Sequence, residues 1–413
     1  MLLTTDATVA MRKRLVLLAI LLAALLLAGA LVLRQRDAAP IRVGVLHALS
    51  GTMAASEAPL VDAVRMAVDE INAEGGLLGR SVELVVADGR SEPAVFAAEA
   101  ERLITQARVS ALFACWTSAC RKAVKPVVER HQHLMVYPVQ YEGMEQSPHI
   151  LYTGSAPNQQ IVPGSHWAME RFGDRVFLLG SDYVFPRVAN LIIRDLVLAR
   201  GGEVLAERYV PLGGRDFAAV VDEIAAQRPA LVLNTLNGDS NAAFIDAMVK
   251  AGLAAQPVMS FSVAEAEIKA WGGARLVQHY ATWSYFQSLD TPQNRRFIAA
   301  WQKRFGASRP TSDAVEAAYV GVKLWAQAVR DAGSDDPLRV NTALLHQTVG
   351  GPSSIAAVDG RTRHLWKMVR IGHVRADGQF AQVFASAHPV KPAPWPGMRS
   401  PEAWQRLIES AHP

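Results

Sequence analysis

Ile41-Arg-Val-Gly-Val-Leu-His47, the pair Ser50-Gly51, and then Leu60, Val64, Ala67, Val68 and Ile71 decide the fold. The first seven residues are apolar enough to be a buried strand. The pair is a turn, and the next five recur at helical spacing. Gly75-Gly76 stops that helix. Val82 to Asp88 then reads as a second strand. Two strands joined through a helix form the unit that builds a parallel sheet.

The same alternation extends outward in both directions of the argument. Phe96–Ala107 reads as a helix, Ala111–Ala114 as a strand, Cys120–His131 as a helix and Leu134–Tyr137 as a strand. The pattern then restarts. Strands are expected at 175–180, 203–210, 230–235, 257–261 and 279–285, with helices at 186–200, 217–227 and 241–251 between them. Helices at 292–305 and 313–332 follow. A hairpin closes the series, Leu365–His373 and Phe380–Ser386 around Asp377-Gly378. The fold class is therefore α/β: two doubly wound parallel-sheet lobes joined by a multi-strand hinge. One lobe is expected over 41–155 plus about 288–350, the other over about 156–287 plus 351–387. A Pro-rich tail follows at 388–413, with five prolines between 389 and 401.

Residues 1–37 form a separate signal or anchor segment. Arg12-Lys13-Arg14 precedes Leu15–Leu33, nineteen residues without a charge. A basic start and an apolar run are an export signal. The run is also long enough to be a transmembrane helix. Cleaved signal and uncleaved anchor both fit. The charge order places the body outside the cytoplasm, so the chain is expected in the periplasm, free or held to the inner membrane by this helix.

Composition excludes several classes. Hydrophobic residues make up 50% and charged residues 19%, and the net charge is +4 with no run of five like charges. That is no footprint for nucleic acid. No Gly-x-Ser-x-Gly elbow and no metal-ligand spacing occurs, so neither enzyme activity nor a cofactor or metal is expected. The two cysteines, Cys115 and Cys120, fit a disulfide or two unlinked thiols. The unlinked pair is favoured, because a disulfide needs a geometry that spacing does not supply.

Ligands of doubly wound folds bind beyond the carboxyl ends of the strands. The residues that follow those ends include His47, Trp116, Ser118, Tyr137, Val139, Gln140, Tyr183, Asn237, Asp239 and Glu265. Hydroxyls, amides, carboxylates and flat aromatic faces suit a small planar amide. Each has a structural alternative. Ser118 and Asp239 can cap helices, Glu265 can sit in a helix first turn, and His47, without a visible partner, reads as structural.

Longer blocks carry a resemblance. Ile71-Asn-Ala-Glu-Gly-Gly-Leu-Leu-Gly-Arg80 resembles the first-helix signature of type I periplasmic binding proteins of the branched-chain amino acid class. Cys115-Trp-Thr-Ser118, Arg121–Glu129, Tyr137-Pro-Val-Gln-Tyr-Glu-Gly143, Ala156–Gln160, Gly180–Arg187 and Leu233–Asn241 are similar to the urea- and amide-binding branch. The resemblance spans roughly 41–390 and departs from the urea pattern at Cys120, where Ser is usual. It implies capture of urea or a short-chain amide and delivery to an ABC transporter permease. A membrane-tethered urea or amide sensor is the alternative. It also implies that Trp116, Ser118, Tyr137, Val139, Gln140 and Tyr183 line the pocket. Asp239 and Glu265 rest on their strand-end positions alone.

Overall fold

The computed structural model describes residues 15–24, 39–275 and 278–411. Residues 15–24 are helical (α1). The rest of the expected span, 25–33, lies outside the described residues, and among those described no helix is long and apolar enough to cross a membrane.

The first half of the body alternates as expected: β1 (Ile41–His47), α2 (Ala54–Ala73), β2 (Val82–Asp88), α3 (Pro93–Thr105), β3 (Leu112–Ala114), α4 (Ser118–Arg130), β4 (Met135–Tyr137) and β5 (Ile150–Tyr152). The second run is α5 (Ile161–Phe172), β6 (Arg175–Ser181), α6 (Val184–Ala199), β7 (Glu203–Val210), α7 (Ala218–Gln227), β8 (Leu231–Thr235), α8 (Ser240–Lys250), β9 (Val258–Ser260), α9 (Glu265–Trp271) and β10 (His279–Trp283). Then come α10 (Pro292–Phe305), α11 (Asp313–Ala332), α12 (Pro337–Ala343), β11 (Thr348–Gly350), β12 (Ile355–Asp359), β13 (His364–Trp366), β14 (Arg370–Val374), β15 (Phe380–Ala385) and α13 (Pro401–Ala411).

These strands make two sheets, ordered β11-β12-β13-β5-β4-β3-β1-β2 and β15-β14-β10-β9-β8-β6-β7. Within each, the strands β1 to β5 and β6 to β10 pair in parallel, through crossover helices except between β4 and β5, which a loop over 138–149 joins. Their central members are buried, β8 throughout and β1 at every residue but Arg42, as a sheet covered on both faces requires.

Two expectations differ. The apolar run Leu365–His373 is not one strand. It splits into β13, in the first sheet, and β14, in the second, so the chain crosses between sheets inside it. β12 and β13, assigned by sequence to the second lobe, likewise pair in the first sheet. The tail is an extended wrap that ends in a helix rather than a loose end. Val390 bridges to Lys367, the Pro394 carbonyl accepts from Met144 N at 2.9 Å, and Trp404 of α13 is fully buried against the second core.

The chain passes between the sheets after β5, β10 and β13. These crossings are stitched together. Asp313 Oδ2 accepts from Ser284 N and Tyr285 N, both at 2.9 Å. Lys367 Nζ donates to the Thr153 carbonyl at 2.9 Å, and Ser155 and Ser284 hydroxyls lie 3.0 Å apart.

Candidate functional site: a cleft between strand ends

The carboxyl ends of the two sheets face each other. The loops after β3 and β8 meet where Trp116 Nε1 donates to Asn237 Oδ1 at 3.3 Å. Those after β4 and β9 meet where Gln140 Nε2 donates to the Phe261 carbonyl at 2.8 Å and to Ser262 Oγ at 3.1 Å. Ser56 of α2 donates to Glu267 of α9 at 2.7 Å. Gly238, at φ +61°, needs its missing side chain here: a Cβ would stand 2.9 Å from the Thr52 carbonyl oxygen across the cleft.

The first wall is built on the loop 115–117. Cys115 takes φ +71°, unusual for a residue with a Cβ. Cys115 and Cys120 are joined in a disulfide, with Cα atoms 5.6 Å apart, which corrects the unlinked expectation. The strand-end turn brings the two Cα atoms within bridging distance. Thr117, not Ser118, caps α4, accepting from Cys120 N at 3.1 Å. Trp116 is buried, and its carbonyl accepts from Tyr137 Oη at 2.6 Å.

Ser118 is committed below the wall. Its hydroxyl donates to Glu142 Oε2 at 2.5 Å and accepts from Arg121 Nη1 at 2.8 Å. Arg121 also reaches Glu142 Oε1 at 2.8 Å and Glu145 Oε1 at 2.9 Å, and lies over the Tyr141 ring at 4.6 Å. Burial alone would raise the Glu145 carboxyl, but Arg121 and Lys122 outweigh it and hold the group at about 2.

Val139 and Gln140 run against the start of the hinge. A Cβ on Gly154 would fall 2.0 Å from the Val139 carbonyl carbon, so only glycine admits that approach. Tyr183, half-buried at the N-cap of α6, comes from the second sheet. Burial pushes its phenol up. Tyr137, Glu142 and Glu57 push the same way against Arg121, and α6, which Tyr183 opens, packs against α4 of the first wall.

The structure does not bring Asp239 and Glu265 to that wall. Asp239 is exposed at the N-cap of α8 and makes no side-chain cap bond. Glu265 is fully buried at the start of α9, where its Oε1 accepts from Gln287 N at 2.6 Å in the hinge segment. Burial first, and then Asp313 and Glu267, push its carboxyl up to about 8 against the Gln287 bond.

One pair was missed in the sequence. His47, read as structural, has a buried partner in Glu57 of α2, with Nδ1 and Oε2 3.0 Å apart. Glu57 Oε2 also accepts from Ala48 N at 2.9 Å. The signal was an acidic residue, Glu57, in the first turn of α2. Among the described residues, Glu57 Oε1, His47 Nε2, Thr52 Oγ1 and Gln140 Oε1 are buried without a partner. Such groups cost roughly 1–3 kcal/mol each when water is excluded. No cluster among the described residues is disposed to hold a metal ion.

Comparison with known proteins agrees with this geometry. A family profile described as a periplasmic binding protein domain matches residues 41–401. The chain belongs to the periplasmic binding protein family. Its structural relatives include an ABC-transporter solute-binding protein of R. palustris in complex with 4-hydroxybenzoate. That protein is 25% identical, with a TM-score of 0.76 over 86% of this chain and 99% of its own. The isoleucine complex of LivJ, a branched-chain amino acid transporter binding protein of Streptococcus pneumoniae, shares the fold at a TM-score of 0.74 and 19% identity, over 86% of this chain and 100% of its own.

Among curated sequences, Leu/Ile/Val-binding protein homolog 6 of Brucella melitensis is 24% identical over 81% of this chain and 87% of its own length. A Geobacillus stearothermophilus protein described as limonene hydroxylase is 31% identical over 138 residues, 32% of this chain. This periplasmic binding protein spans only 25% of that relative's length. The chain is thus an extracytoplasmic solute-binding protein of the ABC-transporter type for a small ligand, in a family of transport proteins rather than enzymes.

Proposed function

We propose that the ligand is urea or a short-chain amide, captured between the lobes and delivered to an ABC-transporter permease. The observation that carries this reading is Gln140. Its amide nitrogen is spent on Phe261 and Ser262 of the facing sheet, and its carbonyl oxygen is buried with no partner among the described residues. A ligand N–H satisfies that oxygen. Trp116 and Tyr183 supply flat faces from opposite walls, which suits a planar molecule. The three crossings between the sheets allow closure as a hinge motion.

Calorimetric titration of the full-length chain with urea, acetamide, formamide and leucine tests the reading. Urea should bind most tightly, and Tyr183→Ala should weaken it at least tenfold with the fold intact. Binding of leucine alone would replace the amide by an amino acid, in line with the ligand of LivJ.

A tethered role is favoured by one further observation. In α1, Leu15, Leu17, Leu18 and Leu21 are each more than half exposed. Such an apolar surface is stable against lipid. Retention of the chain in washed membranes at high salt is expected, and full release by salt would remove the tether.

A further inference from the structure

The mechanism above leaves a buried carboxylate unused. Glu57 is 1% exposed, yet only one of its two oxygens is engaged. The engaged oxygen is bound twice, by the His47 ring and by Ala48 N, which fixes the direction of the free one. His47 is fully buried, stands at the carboxyl end of β1, and its Nε2 is also without a partner among the described residues. Gln140, 3% exposed, adds a third unpartnered atom at the end of β4. Tyr183, across the cleft, feels the Glu57 charge.

Two of these three atoms can only accept a hydrogen bond, and one belongs to a carboxylate. A ligand carboxylate would bring further acceptors and a like charge to Glu57 in a site that excludes water. A ligand with amino groups brings the missing donors.

We infer that Glu57 is the specificity-determining residue of the cleft: its free Oε1 accepts an N–H of the ligand, so the site takes NH2-bearing carbonyl or amidine compounds and rejects carboxylates. This rests on the amide reading and deepens it. The ligands of the 4-hydroxybenzoate- and isoleucine-bound relatives both bear a carboxylate, which this site would reject.

The test is calorimetric titration of the full-length wild type and Glu57→Gln with urea, acetamide, guanidinium and 4-hydroxybenzoate, with circular dichroism as the fold check. The wild type should bind urea and not 4-hydroxybenzoate. The variant should lose at least tenfold in urea affinity at an unchanged spectrum. A folded variant that binds urea like the wild type overturns the role of Glu57 and leaves the amide reading standing. Wild type that binds guanidinium but neither urea nor acetamide removes the neutral-amide reading. The Glu57 role then stands if the variant weakens guanidinium tenfold, and falls if it does not. Binding of 4-hydroxybenzoate, or of none of the four, overturns both. The wild-type panel decides this even if the variant does not fold.

Discussion

The two walls of the cleft manage buried charge in opposite ways. On the first, carboxylates sit against partners: Glu142 and Glu145 against Arg121, which with Lys122 holds the Glu145 carboxyl at about 2, and Glu57 against the His47 ring. On the second, the buried carboxyls Glu265 and Glu267 have no buried cation, and burial pushes both up toward the neutral form. The groups offered across the cleft there are Asn237, Ser262, a backbone carbonyl and the Glu267 carboxyl, which burial pushes toward its neutral form. The first wall is thus pre-set to orient a ligand, since its charges are fixed before closure. The second can approach and leave without stripping water from an ion, which would cost several kcal/mol.

Removing the central cation should break this contrast most severely. Arg121→Met leaves buried Glu142 without its cation and Glu145 with Lys122 alone, and should cost about 3–5 kcal/mol, measured as a fall in thermal unfolding midpoint. A loss under about 1 kcal/mol would mean the first wall does not depend on ion pairing.

A smaller effect sharpens the second wall. The Glu265 carboxyl sits at about 8 against an ordinary 4.5, so between those values the native chain holds a proton that the unfolded chain releases. Its contribution is whole below pH 4.5 and is lost as pH rises through 8, at up to about 1.4 kcal/mol per pH unit. Glu265→Gln, which keeps an acceptor for Gln287 N, should flatten that decline in melts from pH 5 to 8. An unchanged slope would place the titrating group elsewhere.

Sequence periodicity made the long strands and helices legible, since β1 and α2 each repeat their apolar pattern several times. Strands of three residues, such as β5 and β11, carry too few positions to show a period. The split of Leu365–His373 was hidden because the crossing, residues 367–369, contains neither Gly nor Pro and reads as continuing strand. In the site, strand ends and family blocks point to Trp116, Tyr137, Gln140 and Tyr183; Trp116 and Gln140 bond across the cleft, and Tyr137 holds the Trp116 carbonyl. Asp239 and Glu265 were placed by the strand-end rule alone, which gives position but not side-chain direction. The Glu57–His47 pair spans a loop and ten residues, and only folding reveals it.

The disulfide closes residues 115–120 into a ring. Trp116, the Thr117 cap and Ser118 all lie inside it, so the aromatic face, the helix start and the link to Arg121 move as one rigid piece. A residue inserted or deleted within the ring would misplace all three together. On the proposed reading, ligand preference is tunable mainly from outside it, at Glu57, Gln140 and Tyr183, where a single side chain can change without dragging its neighbours along.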